Sequence, residues 1–120
     1  MTKKSNSKYY DLEERTLKFA KSTITFIKKL PRNIANIEII KQLVRSTGSV
    51  GANYIEANEA LSKKDFVMRI KICRKEAKES RYWLKLIEVN SKELESMRKS
   101  LLQEATELMK IFGAILEKSK

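Results

Sequence analysis

The sequence of 120 residues contains no histidine, one cysteine, one proline and three glycines. Histidine is the commonest general base, so its absence excludes Ser-His and Cys-His catalysis and disfavours a zinc site; we predict no cofactor. Cys73 cannot form an internal disulfide, and its place in an apolar heptad repeat predicts a small core residue. A lone core cysteine fits a reducing compartment, so we expect a cytoplasmic protein.

The scarcity of turn residues and of long apolar runs bounds the fold class. Three glycines and one proline are too few for an all-β sandwich, and the apolar residues recur at threes and fours. No apolar run approaches the roughly 18 residues of a membrane span. Residues 1–8 carry charge without the apolar stretch of a signal peptide. We expect a disordered basic tail at 1–8 and one domain at 9–120.

Apolar periodicity and helix-end signals predict four helices in that domain. They are expected at about 11–30, 36–61, 63–89 and from Asn90 onward, with a stop at Pro31 and N-caps at Asn36, Ser62 and Asn90. The expected core stripes of the first and third helices are Leu12, Thr16, Phe19, Thr23, Phe26 and Leu30, and Phe66, Ile70, Cys73, Ala77, Ser80, Leu84 and Ile87. Short links between long amphipathic helices predict an all-α, antiparallel up-down-up-down four-helix bundle.

The second helix contains a stretch with unusually few charges. From Gln42 to Ser62 only Arg45, Glu56 and Glu59 are charged, although 34% of all residues are. Both faces of this stretch are therefore expected to be contact faces. The predicted helix or subunit interface comprises Gln42, Arg45, Ser46, Ser49, Ala52, Asn53 and Glu56, met by Glu76 and Trp83 of the third helix, with Glu76 reaching Arg45 or Asn53.

A phosphate-binding loop at residues 46–51 is the alternative interpretation of the same stretch. A P-loop needs a preceding strand and a Gly-Lys-Ser/Thr sequence, and neither is found here. We expect instead that Gly48, Gly51 and their small neighbours let another helix approach closely, and that the contacts offset the poor helix propensity of glycine.

The third helix carries a stripe of positive charge. The chain has 26 Lys and Arg against 15 Asp and Glu, a formal charge of +11, which favours polyanionic partners. At 100° per residue, eight cations fall within an arc of about 120° along about 40 Å. The predicted nucleic-acid-binding residues are Lys63, Lys64, Lys71, Arg74, Lys75, Lys78, Arg81 and Lys85, with Tyr82 as a stacking platform.

Two other interpretations of this stripe remain open. An ordinary solvated face mixes both signs of charge, whereas no acid lies inside this arc. A protein-interaction scaffold could use the same cations to dock an acidic partner. Membrane association is disfavoured because the arc is expected to lack large apolar side chains beside it.

Three Glu-x-x-Glu pairs are the strongest candidates for an enzyme. They are Glu56 with Glu59, Glu76 with Glu79, and Glu104 with Glu107. Such pairs can hold Mg²⁺ in an all-α nucleotide pyrophosphohydrolase, whereas a di-iron bundle would also need histidine. Because such pairs arise by chance in Glu-rich helices, we predict a protein that is not an enzyme and binds no metal.

Several segments resemble one known family. The pattern Gln42-Leu43-x-Arg45-Ser46-x-x-Ser49-Val50-x-Ala52-Asn53-x-x-Glu56-Ala57 is similar to that of the four-helix bundle proteins encoded within intervening sequences of bacterial large-subunit ribosomal RNA genes. That family also includes accessory proteins of diversity-generating retroelements. Further similar segments, in the same order, are residues 10–13, Leu30-Pro31, residues 62–66, and Glu76-Ala77-x-Glu79-Ser80-x-Tyr82-Trp83-Leu84.

The resemblance covers roughly the first three quarters of the chain. It implies an up-and-down bundle that forms a ring-like homo-oligomer, commonly a homopentamer, without enzymatic activity. It also implies a basic surface that binds RNA or DNA and, in the accessory members, a reverse transcriptase. The last helix shows only a general amphipathic pattern and adds nothing to the resemblance.

Overall fold

The computed structural model describes the backbone of residues 7–120 and the side chains of residues 12–120. Within that part, the chain forms four α-helices: α1 (Ser7–Ile27), α2 (Ile34–Asn58), α3 (Lys63–Leu86) and α4 (Lys92–Lys118). Each helix packs against its neighbours in sequence, and α1 also packs against α4. The predicted all-α, antiparallel four-helix bundle is confirmed.

The start of α1 and the end of α2 differ from the predicted bounds. Most of the predicted tail, residues 1–6, lies outside the described residues. Helix α1 begins at Ser7, four residues before the expected start at Asp11. At its other end, α2 stops at Asn58, and Leu61 is a fully exposed side chain in the link rather than part of the core.

The core follows the predicted stripes. All six predicted positions of α1 and its following link are buried, from Leu12 to Leu30, and those of α3 are buried except for the half-buried Phe66. Tyr54 of α2 and Phe112 of α4 are fully buried, with ring centroids 5.9 Å apart. Side chains from all four helices therefore meet in one core.

The N-cap of α2 is Asn33 rather than the predicted Asn36. The Asn33 backbone is extended, and its side-chain oxygen accepts the backbone N–H of Asn36 at 2.8 Å. Asn36 already lies inside the helix, so the prediction placed the cap one turn too late. The predicted cap at Ser62 is confirmed by its bond with the Asp65 N–H, whereas Ser91 caps α4 instead of Asn90.

Asn36 ties α2 to the distant link that follows α3. Its side chain is fully buried, and its Nδ2 donates to the carbonyls of Pro31 at 3.1 Å and Glu88 at 2.9 Å. Its Oδ1 accepts the Glu88 N–H at 3.0 Å. One amide therefore satisfies three backbone groups, two of them 52 residues away in sequence.

The two glycines of α2 have different surroundings. A Cβ on Gly51 would lie 3.0 Å from Thr16 Oγ1, so a larger residue there would require α1 or the Thr16 side chain to shift. A Cβ on Gly48 would meet nothing within 4 Å among the described residues. Close packing inside the chain therefore accounts for Gly51 but not for Gly48.

Candidate nucleic-acid interface

The predicted cations of α3 lie on the surface of the bundle. Arg81 is half-buried, and the other seven predicted cations are exposed. Because α3 packs between α2 and α4, only one face of the helix is open to solvent. We call the eight cations together the basic track.

Two arginines of the basic track contact α4. Arg81 Nε donates to Thr106 Oγ1 at 2.9 Å, and Arg74 Nε lies 3.6 Å from where a Cβ on Gly113 would be. These contacts hold both guanidinium groups at the α3–α4 edge. They also set the register of the two antiparallel helices, with Arg81 beside Thr106 and Arg74 beside Gly113.

Most cations of the basic track have no acidic partner. Among the residues whose side chains are described, Lys63, Lys64, Lys71, Lys78 and Lys85 have no carboxylate oxygen within 4 Å. Lys75 Nζ lies 3.9 Å from Glu76 Oε2, which is a long ion pair. The positive charge of the track is therefore largely uncompensated.

The glutamates on both sides of the basic track form ion pairs with arginines at other helix–helix contacts of the bundle. On the α2 side, Arg45 pairs with Glu79 at 2.9 Å and with Glu76 at 3.3 Å. The predicted contact between Glu76 and Arg45 is thus confirmed. The Glu76 side chain is only 7% exposed, and a buried carboxylate needs such a partner.

On the far side of α4, a second arginine forms ion pairs with two other glutamates. Arg15 of α1 donates to Glu104 at 2.7 and 2.9 Å and to Glu107 at 2.5 Å. Glu104 raises the pKa of Arg15, while Gln103 and Arg15 lower the pKa of Glu107. The Glu107 carboxylate therefore stays charged, and Arg15 holds both glutamates at the α1–α4 seam, away from the basic track.

Two lysines of α4 extend the basic track beyond the predicted residues. Lys99 and Lys110 are exposed and share a helix face with Thr106 and Gly113, at spacings of seven and four residues from Thr106. The register places Lys110 beside the stretch of α3 between Arg74 and Arg81. The heptad spacing is visible in the sequence, but the sequence does not show which face of α4 meets α3.

Three exposed apolar side chains lie beside the track. Met68, Tyr82 and Leu86 are 53%, 59% and 48% exposed. The expectation that no large apolar side chain would accompany the cations is wrong, because the core uses the opposite side of α3. Tyr82 packs edge-to-face on Trp83, with ring centroids 5.0 Å apart and an interplanar angle of 77°.

Most of the predicted interface side chains lie at the α2–α3 seam of the same chain. Ser80 Oγ donates to Ser46 Oγ at 2.9 Å, and both residues are buried. Asn53 accepts from Arg69 at 3.0 Å and donates to the half-buried Ser49. Trp83 is half-buried, whereas Gln42, Ala52 and Glu56 are exposed.

The surroundings of Cys73 and of two of the three Glu-x-x-Glu pairs do not favour catalysis. Burial raises the pKa of the Cys73 thiol to about 12, so the thiolate nucleophile is absent near neutral pH. Arg15 hydrogen-bonds Glu104 and Glu107, and Arg45 hydrogen-bonds Glu79. Arg45 forms only a longer ion pair with Glu76, whose buried Oε1 has no hydrogen-bond partner among the described residues. Within the described part of the chain, no three His, Cys, Asp or Glu residues cluster as metal ligands.

Two further features of the surface bear on function. A groove of 1490 Å³ lies between α1 and α4 and includes Arg15 and Glu104, but no residue of the basic track. Across the described residues, every helix is too short or too polar to cross a membrane. The basic track is therefore the surface with the most distinctive chemistry.

Comparisons with known proteins identify the family of this chain and similar solved structures. A family model described as 23S rRNA-intervening sequence protein matches residues 8–114. The chain is also similar to a protein of unknown function from the S23 ribosomal protein family of Bacteroides thetaiotaomicron, with a TM-score of 0.79 and 32% identity. That alignment covers 92% of this chain and 98% of the other. No curated protein matches the chain.

Proposed function

This chain belongs to the 23S rRNA-intervening sequence protein family, and we propose that it is a non-enzymatic, homo-oligomeric protein that binds RNA or DNA through phosphates along α3. One observation carries the proposal: the basic track is exposed, while the neighbouring acids are paired with Arg15 and Arg45. The buried thiol of Cys73 and the occupied carboxylate pairs support a role without catalysis.

The charge of the protein is concentrated on the helix that carries the track. Helix α3 has nine Lys and Arg against three Asp and Glu, a net +6 of the total +11. Spread over about 36 Å of helix, this charge creates a local potential that attracts polyanions. Binding a phosphate backbone releases its condensed counterions, which makes the affinity dependent on salt.

The affinity for nucleic acid should fall steeply as salt is added. If the five unpaired lysines of the track each neutralise one phosphate, the logarithm of the association constant should fall with the logarithm of salt at a slope of about −3.5 to −4.5. From 50 to 200 mM salt, the expected loss is about 100- to 500-fold. Fluorescence anisotropy with a labelled oligonucleotide measures this slope, and a flat plot would contradict phosphate-dominated binding.

An acidic protein is the other partner that these cations could bind. The reverse transcriptase suggested by the family resemblance would instead be a nucleic-acid-carrying partner of the same surface. A direct protein contact should survive nuclease treatment of both components, whereas a contact bridged by nucleic acid should not. We propose the nucleic-acid contact as the primary one, because a linear series of unpaired lysines matches the linear charge of a phosphate backbone.

A second surface supports the homo-oligomer, for which we expect five copies. On the outer side of α2, the apolar residues Ile37, Val44 and Ile55 are exposed at spacings of seven and eleven residues, so they share one face. Gly48, whose Cβ position is open, lies between them. Helix α2 has only two Lys and Arg and two Glu, so two copies of a +11 chain would meet there with little repulsion.

Adding charge to this face should dissociate the oligomer. The double variant Val44→Glu, Ile55→Glu places two carboxylates in an apolar contact, and its mass by light scattering should fall to that of one 14.0 kDa chain. Leu61→Glu is the control, because Leu61 is fully exposed but lies outside α2. A wild-type monomer would refute the oligomer, and an unchanged mass of the double variant would place the contact elsewhere.

A further inference from the structure

The exposed face of α3 is divided into two parallel lanes. At 100° per residue, Lys71, Lys78 and Lys85 lie within about 40° of one another. Met68, Tyr82 and Leu86 also lie within about 40° of one another, on the side towards α2, and Lys64 and Lys75 lie in the same arc. We call the first set the lysine lane and the second set the apolar lane.

The two lanes match the two chemically different sides of a single strand. In a single strand the phosphates carry the charge, while the unpaired bases offer apolar faces that can stack on protein side chains. In a duplex the bases are stacked and paired inside, so the apolar lane would have nothing to cover. An apolar lane beside a lysine lane therefore favours unpaired nucleotides.

Tyr82 is oriented as a platform for one base. Its edge-to-face contact with the half-buried Trp83, 5.0 Å between centroids, restricts the ring, while 59% of the residue remains exposed. Lys78 lies one turn before Tyr82 and Lys85 about one turn after it. A base stacked on the ring would thus have a cation on each side for its flanking phosphates.

The position of α3 in the bundle also disfavours a duplex. A helix reads duplex DNA by entering the major groove, which is about 12 Å wide and 8.5 Å deep. Here α2 and α4 pack against both flanks of α3, and Arg74 and Arg81 lean on α4. Since α3 cannot protrude as an isolated helix, its open face suits a strand laid along it.

We propose that the basic track binds single-stranded nucleic acid, with phosphates on the lysine lane and a base stacked on Tyr82. This inference rests on the proposed function and adds the class of nucleic acid. The ligand chemistry is common to RNA and DNA single strands. Both are therefore tested beside duplexes of the same length.

The experiment compares four labelled probes by anisotropy at one salt concentration: U15 RNA, dT15, and 15-base-pair RNA and DNA duplexes. Single strands of at least one kind should bind at least tenfold more tightly than both duplexes. Tyr82→Leu, which keeps an apolar side chain but removes the aromatic face, should weaken single-strand binding by about 5- to 150-fold. Its salt slope should stay unchanged, because no cation is lost.

Two controls separate stacking from other roles of Tyr82. Tyr82→Phe keeps the aromatic face and should retain single-strand affinity within about twofold. Trp83 is the chain's single tryptophan, so a base arriving at Tyr82 should quench its fluorescence in the wild type and in Tyr82→Phe. Equal helical circular dichroism of the variants shows that each one folds.

The outcomes distinguish this inference from the function on which it rests. Equal binding of duplexes and single strands, or an unchanged affinity of Tyr82→Leu, overturns the single-strand inference while the salt-dependent binding remains. Phosphatidylserine vesicles serve as a fifth probe. If they bind the wild type but not Tyr82→Leu, and U15 binding stays intact, the apolar lane contacts an anionic membrane surface, which also overturns the inference. Absence of binding to all four probes refutes the proposed function itself.

Discussion

Replacing Lys71, Lys78 and Lys85 together by glutamate should remove most nucleic-acid binding from a protein that still folds. The three lysines are exposed, and none has a carboxylate within 4 Å among the described side chains, so no ion pair is lost. Each substitution removes one phosphate contact and adds a repelling charge. We expect a loss of at least about 100-fold at 0.15 M salt and a salt slope smaller by about three.

A matched variant tests whether the position of the charge matters. Lys21, Lys28 and Lys92 are also exposed and without a carboxylate within 4 Å in the described part of the chain, but they lie outside the basic track. Their replacement by glutamate changes the net charge equally and should lower the affinity far less, with little change in slope. Equal losses in the two variants would show that overall charge, rather than the track, drives binding.

Arg74 and Arg81 are better left out of this variant. The Arg81 side chain bonds Thr106, and Arg74 packs beside Gly113. Replacing them would disturb the α3–α4 edge as well as the charge, so a loss of binding could reflect a loss of structure. The exposed lysines avoid this ambiguity because their side chains extend into solvent.

Asn36→Ala should be among the most destabilising single substitutions of the bundle. The change leaves the carbonyls of Pro31 and Glu88 and the N–H of Glu88 without their partner. These three bonds are partly buried, and an intramolecular hydrogen bond contributes about 0.5–1.5 kcal/mol, so we expect the free energy of unfolding to fall by about 2–4 kcal/mol. Urea unfolding followed by circular dichroism, at one fixed protein concentration, measures it.

Asn33→Ala is the control for this measurement. It removes the N-cap of α2, whose side chain accepts the Asn36 N–H at 2.8 Å, and an exposed bond from Asn33 Nδ2 to Glu88 Oε1 at 3.0 Å. The free energy of unfolding should fall by only about 1 kcal/mol. Equal effects of the two variants would contradict a bridging role for Asn36. The larger effect of Asn36→Ala would show that this amide holds the link between α3 and α4 against α2.

Local signals in the sequence predicted part of this structure and misplaced another part. The caps at Asn33 and Asn36 look alike in sequence, because both residues are good N-caps one turn apart. Both side chains contact Glu88 in the structure, and only the burial of Asn36 and its bonds to the Glu88 backbone, 52 residues away, distinguish them. In the same way, Gly48 and Gly51 look equivalent, but only Gly51 faces Thr16.

The sequence by itself determined the four helices, most of their core stripes and the cations of α3, because these follow from periodicity within one helix. Only the tertiary structure decided that Arg15 and Arg45 collect the neighbouring acids, that Lys110 lies beside the basic track, and that an apolar lane accompanies the lysines. The physical reason is that these features depend on the rotation and register of one helix against another, which no local period specifies.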